Sequence, residues 1–325
     1  MADRPPQDLS SPSGAVLPVE RVRGERPDDP TWRADALVRS RHSRLVDELR
    51  QPLESHDKER ARQICGEVTR LLMRDLAPAL ILLPPAERYR LQALIAYSLT
   101  LFDFVRQTGL EGERLAAINR WEFHLEAALD GTPPGQPVFV LLADIESHDP
   151  WVREGFDRLH AVARRRCAVA RPANRAALEK EAVDLAVAVT TAFLGSGSPE
   201  LVELVAAVMR AGSLVNLGED LRRHRARLPV SELPDAWEHE PAEPAPQLDR
   251  LVRTECSRIV PALASGEGAT AAPSNLRRAI EYVRLACLDL VQQIDRLGAE
   301  VIAVPPRLSL TDRLLLLARA RWLGR

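Results

Sequence analysis

Lysine is almost missing from this 325-residue chain: Lys58 and Lys180 are the only two, so arginine supplies nearly all of its 44 basic residues. Such a bias reports a GC-rich genome before it reports function, although arginine is also the better bidentate partner for phosphate. Excess charge is missing too. A formal net charge of −2 leaves no surplus of cations to neutralise a nucleic-acid backbone, which excludes a general nucleic-acid binder. The four cysteines, Cys65, Cys167, Cys256 and Cys287, stand singly, without the spacing of a disulfide framework or a zinc site, and read as reduced thiols. No apolar run reaches membrane length, and MADRPPQDLSSPSG at the start has no apolar signal core, so the expectation is a soluble cytoplasmic protein without a transmembrane segment. A glycine-rich phosphate loop, a nucleophile elbow and an HExxH pair are all lacking. Of the seven histidines, His124 and His160 read as surface residues of amphipathic helices, and His239 as solvated.

What is present is helical periodicity. No stretch alternates with period two, so the fold class is all-α. Residues 1–30, rich in Pro, Ser, Asp and Arg, read as a disordered tail, and 31–325 as one all-α domain. Helices are expected from Trp32 to Arg74 with a break at Gln51-Pro52, and over Ala86–Gln107, where Pro84-Pro85 opens a first turn. Further helices are expected over Arg114–Leu129, Val138–Ser147, Trp151–Arg166, Ala176–Leu194 and Pro199–Arg210. Arg164, Arg165 and Arg166 read as a solvated helix end, where cations suit the dipole. After a proline- and acid-rich connection over Val230–Gln247 come Leu248–Leu263, a flexible loop over Ala264–Ser274, Leu276–Leu297 and Leu308–Leu323.

Two places combine charge with apolar surroundings. Asp103 and Arg106 interrupt the apolar run ALIAYSLTLFDFV, and charges in a buried helix are costly unless paired or used. A structural Asp–Arg pair is the plain reading. The stretch Gly212–Pro229, GSLVNLGEDLRRHRARLP, wound as one helix, sets Asn216, Asp220, Arg223 and Arg227 on one face and Leu214, Leu217, Leu221 and Leu228 on the other. Oxygen ligands one turn apart suit Mg²⁺ and the arginines suit a phosphate; a solvated surface face explains the same pattern.

Three segments resemble the squalene/phytoene synthase family, which condenses prenyl diphosphates head to head. LPPAER followed by ALIAYSLTLFDFVR is similar to the helix bearing the family's first aspartate-rich motif. RLAAINRWEFHLEAALDG, then QPVFVLLADIESHD and FDRL, is similar to bacterial members, and LGEDLRRHRARLPVSEL to the second motif with its arginine-rich turn. RLSLTDRLLLLARA also fits, and the resemblance spans roughly residues 60–322. It implies an isoprenoid synthase type helical bundle around a central cavity.

The departures from the family pattern change the implied chemistry. The family's Asp-Asp-x-x-Asp falls on Phe102, Asp103 and Arg106, its preceding arginine on Leu99, and its Gln and Asn on Met209 and Gly212. In the second motif the first Asp is Asn216 and the last is kept as Asp220. The usual Tyr is Arg227, and the serine and aromatic positions near the first helix are Asp75, Leu76 and Ala77. With fewer carboxylates and more guanidinium, the resemblance implies one diphosphate and an uncharged aromatic acceptor. The squalene-synthase-like prenyltransferases that move a dimethylallyl group onto a carbazole in secondary metabolism work in this way. On this reading Asn216 and Asp220 ligate Mg²⁺, and Arg88, Arg106, Arg222, Arg223, Arg225 and Arg227 hold the diphosphate. Tyr97, Leu99, Phe102, Met209 and Gly212 line the pocket, and Asp103 is the base or acceptor anchor. The alternatives are head-to-head condensation of two prenyl diphosphates and a catalytically inactive binding or assembly protein. The chain is expected as a monomer or homodimer.

Overall fold

The computed structural model describes residues 44–54, 57–107, 109–145, 150–169, 171–195, 197–222, 226–232 and 246–324. These all fall in one compact unit, His42–Arg325. The expected tail, 1–30, and most of the acid-rich connection lie outside the described residues, as do Arg223 and Arg225 and the side chain of Arg222.

The helices are α1 (described over 44–50), α2 (Lys58–Met73), α3 (Pro85–Arg106), α4 (Glu111–Leu129), α5 (Pro137–Leu142), α6 (Pro150–Ala168) and α7 (Arg175–Val189). They continue as α8 (Pro199–Val215), α9 (Leu217–Arg222), α10 (Pro246–Ser265), α11 (Glu267–Thr270), α12 (Arg277–Leu297) and α13 (Leu310–Leu323). No strand occurs among the described residues. Sequence chemistry marks the ends. The Asp57 side chain accepts from the Glu59 and Arg60 amides, Asn174 from Ala177, and Ser198 from Leu201. Each supplies an acceptor that the first turn lacks. Pro85 and Pro199 sit in first turns, where a missing amide hydrogen costs nothing.

Two apolar cores form, and α12 joins them. Leu49, Leu94, Tyr97, Leu101, Trp121 and Phe139 build the first core, to which α12 adds Tyr282, Leu285 and Leu290. Leu214, Leu217, Leu221, Leu251 and Ile259 build the second, to which α12 adds Cys287, Val291 and Ile294. A fully buried leucine such as Leu94 contributes about 1.5–3 kcal/mol, so the helices are held chiefly by these faces. All four cysteines are buried and none forms a disulfide. No single helix among the described residues is long and apolar enough to cross a membrane.

Two expectations are corrected here, the 264–274 loop and His160. The loop over 264–274 contains α11, with Gly268 and Ala269 buried, because Gly268 packs against Leu204 and the Glu200 carbonyl of α8. The apolar stretch before α3 is a 3₁₀ helix, Arg74–Leu82. His160 is buried rather than on the surface: its Nε2 lies 2.6 Å from the Tyr97 hydroxyl oxygen, and the two share a hydrogen bond. Tyr97 in turn stacks on Trp121, with ring centroids 5.7 Å apart.

Burial pushes the His160 imidazole down to about 4; Glu122 opposes this and Arg164 reinforces it. A buried base with a lowered pKa leaves the unfolded chain binding the proton first as pH falls. Stability is therefore complete above about pH 6.5 and is lost on acidification toward pH 4, by roughly 2–4 kcal/mol for this group. Urea titrations at stepped pH should show this loss in wild type and a shallower one in His160→Gln. Equal slopes would remove His160 from the account.

Candidate active site

The stretch Gly212–Pro229 is not one helix. α8 runs to Val215, Asn216 ends it, and α9 restarts at Leu217 and stops at Arg222. Asn216 turns its Nδ2 back onto the Gly212 carbonyl at 2.9 Å, the local competition with helix bonding that makes asparagine a poor interior residue. Leu217 and Leu221 anchor α9 in the second core. Gly218 lets α9 meet the backbone of Ile302, where any Cβ would collide with the carbonyl. Asp220 is thereby buried. After α9, Ala226 and Leu228 are buried on either side of Arg227, so a segment outside any helix, rather than a helix face, aims the Arg227 side chain.

That side chain meets a partner the sequence did not suggest. Glu181 of α7 receives Arg227 on one oxygen and the Nε of Arg166, at 2.9 Å, on the other. Arg227 also donates from Nη1 to the Val169 carbonyl at 3.3 Å. The Arg166 guanidinium lies 5.1 Å from the centre of the Phe102 ring. Burial pushes Arg166 down to about 10; Arg106 pushes the same way, while the Asp220 carboxylate opposes them. Burial likewise pushes Arg227 down to about 9, and the like charge of Arg166 adds to it. Arginine remains a cation at neutral pH, so both shifts reflect chiefly the water these two charges have lost on burial. Three guanidiniums and two carboxylates, drawn from α3, α6, α7, α9 and the segment after it, make a partly desolvated cationic site. Such a site favours a compact polyanion with planar, bidentate acceptors.

The other candidate residues divide. Phe102 lies against Arg166, and Arg106, one turn on along α3 and exposed, acts on Arg166 through its charge. Asp103 does not reach this cluster: its Oδ2 accepts from Arg50 Nη2 of α1 at 2.5 Å, and the same guanidinium lies 4.7 Å from the Phe104 ring centre. The expected Asp103–Arg106 pair is thus replaced by Asp103–Arg50. Arg88 is turned away from any anion, donating to the Leu80, Ile81 and Leu83 carbonyls at 2.9, 3.4 and 3.2 Å and clamping the 3₁₀ helix. Tyr97 lies fully within the first core, bonded to His160, and lines no open space. Leu99, Met209 and Gly212 are half-buried, and a Cβ placed on Gly212 would meet no atom within 4 Å.

The donors expected for Mg²⁺ can be tested on their chemistry. Mg²⁺ takes oxygen ligands in octahedral geometry, usually one or two carboxylates with waters and substrate phosphates. Among the described residues no group of three or more His, Cys, Asp or Glu comes together to hold a metal. Asp220 lies in the field of Arg166, and Asn216 is exposed at a helix break. With Glu181 engaged by Arg166 and Arg227, Asp220 is the carboxylate left to the expected pair, and beside these guanidiniums it does not fit an ion held by the protein, because they repel it.

Arg166, expected with Arg164 and Arg165 at a solvated helix end, instead faces inward onto Glu181, a residue the sequence did not single out, yet a signal for Arg166 was there. On α6, Leu159, Val162 and Ala163 are buried, and Arg166 follows them at positions i+7, i+4 and i+3. That spacing puts it on the inward face while Arg165 points out.

The fold has known counterparts. The squalene/phytoene synthase family profile matches residues 73–315. No curated protein sequence matches. A dehydrosqualene synthase crystallised with a ligand superposes with a TM-score of 0.69 at 16% identity, covering 82% of this chain and 97% of that one. The squalene synthase HpnC from Alicyclobacillus acidocaldarius gives 0.59 at 17% identity, covering 78% and 98%. These likenesses support the isoprenoid synthase type helical fold, and the profile match carries the family. The chain belongs to the squalene/phytoene synthase family of isoprenoid diphosphate-processing transferases.

Proposed function

We propose that this protein transfers a dimethylallyl or other short allylic group from its diphosphate to an aromatic acceptor such as a carbazole. The observation that carries the reading is the pair Arg166 and Arg227 sharing Glu181, with the Asp220 carboxylate acting on Arg166. This is one cationic cluster suited to one diphosphate, where head-to-head condensation must hold two. In the step proposed, the allylic C–O bond breaks and its electron pair leaves with the diphosphate, whose charge Arg106, Arg166 and Arg227 stabilise. The ring face of Phe102, which already holds the Arg166 cation at 5.1 Å, suits the allylic cation that forms. A ring carbon of the acceptor attacks it, and the ring proton passes to a base. Asp103 is held by Arg50, so the released diphosphate is the base assigned here. Leu99, Met209 and the open side of Gly212 supply apolar walls that keep water from the cation.

The test is incubation with dimethylallyl diphosphate and a hydroxylated carbazole or indole, followed by mass spectrometry and assay of released diphosphate. A prenyl adduct formed by wild type and lost in Arg166→Gln is expected; absence of any adduct with every aromatic acceptor offered would sink the proposal. Head-to-head condensation is the second reading, favoured by the likeness to a dehydrosqualene synthase and a squalene synthase. A hydrocarbon formed from prenyl diphosphate alone would establish it instead.

A further inference from the structure

We propose that the outward face of α13 docks the protein onto an anionic lipid bilayer. Twelve large apolar side chains are well exposed among the described residues, and five of them belong to this helix: Leu310, Leu314, Leu315, Trp322 and Leu323, each 51–72% exposed. Elsewhere such residues are scattered, as at Leu110 and Phe123, which is ordinary for a surface. On α13 they are ordered. Leu310, Leu314, Ala318 and Trp322 recur every fourth residue and form one stripe, with Leu315 beside it. The opposite face holds the helix in place. Leu316 and Ala320 are buried in the first core, and Arg313 bonds Asp75 at 2.6 Å. The stripe is therefore presented by a fixed element.

Charge selects the occupant. Arg319 and Arg321 are exposed on the helix, Arg307 is exposed just before it, and none of the three has an ion pair among the described residues. The helix's one acid, Asp312, is engaged with Ser309 in the N-terminal cap at 2.6 and 3.1 Å. An apolar stripe with arginines at its borders and a tryptophan near one end suits the headgroup boundary of a negatively charged membrane. A second copy meeting this face about a twofold axis would bring the same arginines against each other. At 14 residues the helix is about 21 Å long, too short for a hydrocarbon core of about 30 Å, so it lies in the interface plane.

The experiment is cosedimentation of the full chain with vesicles of phosphatidylcholine alone or with about a third phosphatidylglycerol. Binding to the anionic vesicles, weakened at high salt and on neutral vesicles, is expected. Arg319→Gln with Arg321→Gln should weaken it by roughly thirtyfold. Leu314→Glu with Trp322→Glu should abolish it while the thermal melt stays that of wild type. No binding to either vesicle overturns the proposal, as does unchanged binding of the Leu314→Glu, Trp322→Glu protein. A dimer seen by light scattering and broken by Leu314→Glu, without vesicle binding, would assign the face to a second copy and overturn it equally.

Discussion

Arg166→Gln is expected to weaken inorganic pyrophosphate binding by about 10- to 100-fold, the loss of one charge-assisted contact worth roughly 1.5–3 kcal/mol. Calorimetry in the presence of a chelator is the measurement, because the guanidiniums rather than a protein-held metal are assigned the anion. The single variant should fold, since Glu181 keeps its contact with Arg227. Arg227→Gln should behave alike. Removing both arginines leaves Glu181 buried without a partner, which costs about 3–5 kcal/mol, so the double variant is a poor probe. Arg165→Gln is the control: it is exposed on the same helix and pairs with Asp184 at 2.7 Å, and its affinity should match wild type. If Arg166→Gln binds pyrophosphate as tightly as wild type, or if wild type binds none without added Mg²⁺, the arginine site is misassigned.

Gly218→Ala and Gly212→Ala should shift stability in opposite directions, although they lie only six positions apart. A Cβ at position 218 would run into the backbone of Ile302, and a backbone atom cannot rotate aside. Overpacking of this kind costs about 1–3 kcal/mol or more, a fall in melting temperature of roughly 3–10 °C for a chain of this size. Because α9 carries Asp220 and leads to Arg227, pyrophosphate affinity should fall with it. At 212 nothing lies within 4 Å, so alanine should gain up to about 1 kcal/mol of helix propensity. A Gly218→Ala protein that melts with wild type would show that α9 does not approach Ile302 as described.

Asp103 and Arg227 show where reading the residues reaches its limit. Both were picked out from the sequence, by their apolar surroundings and by the resemblance. Their neighbours were not. The Asp103 partner, Arg50, is 53 residues away, and the Arg227 partner, Glu181, is 46 away. Position within a helix says which way a side chain points, but not which distant helix it faces. Asn216 shows a different limit. Its neighbours carry a helical pattern on both sides, so periodicity continues the helix through it. The break depends on a side-chain bond to Gly212 and on where Ile302 lets α9 pack.

By itself the sequence determined the helical class and most helix positions, because the apolar period, the prolines in first turns and the capping residues are local. The likeness of its motif order singled out α3 and the Asn216–Arg227 stretch. Only the tertiary structure decided that Arg88 clamps backbone carbonyls, that Asp103 belongs to Arg50, and that Arg166 joins Arg227 on Glu181. The reason is physical. The worth of a charge depends on how much water it has lost and on which charges remain near it, and both are set by helices that meet only after folding.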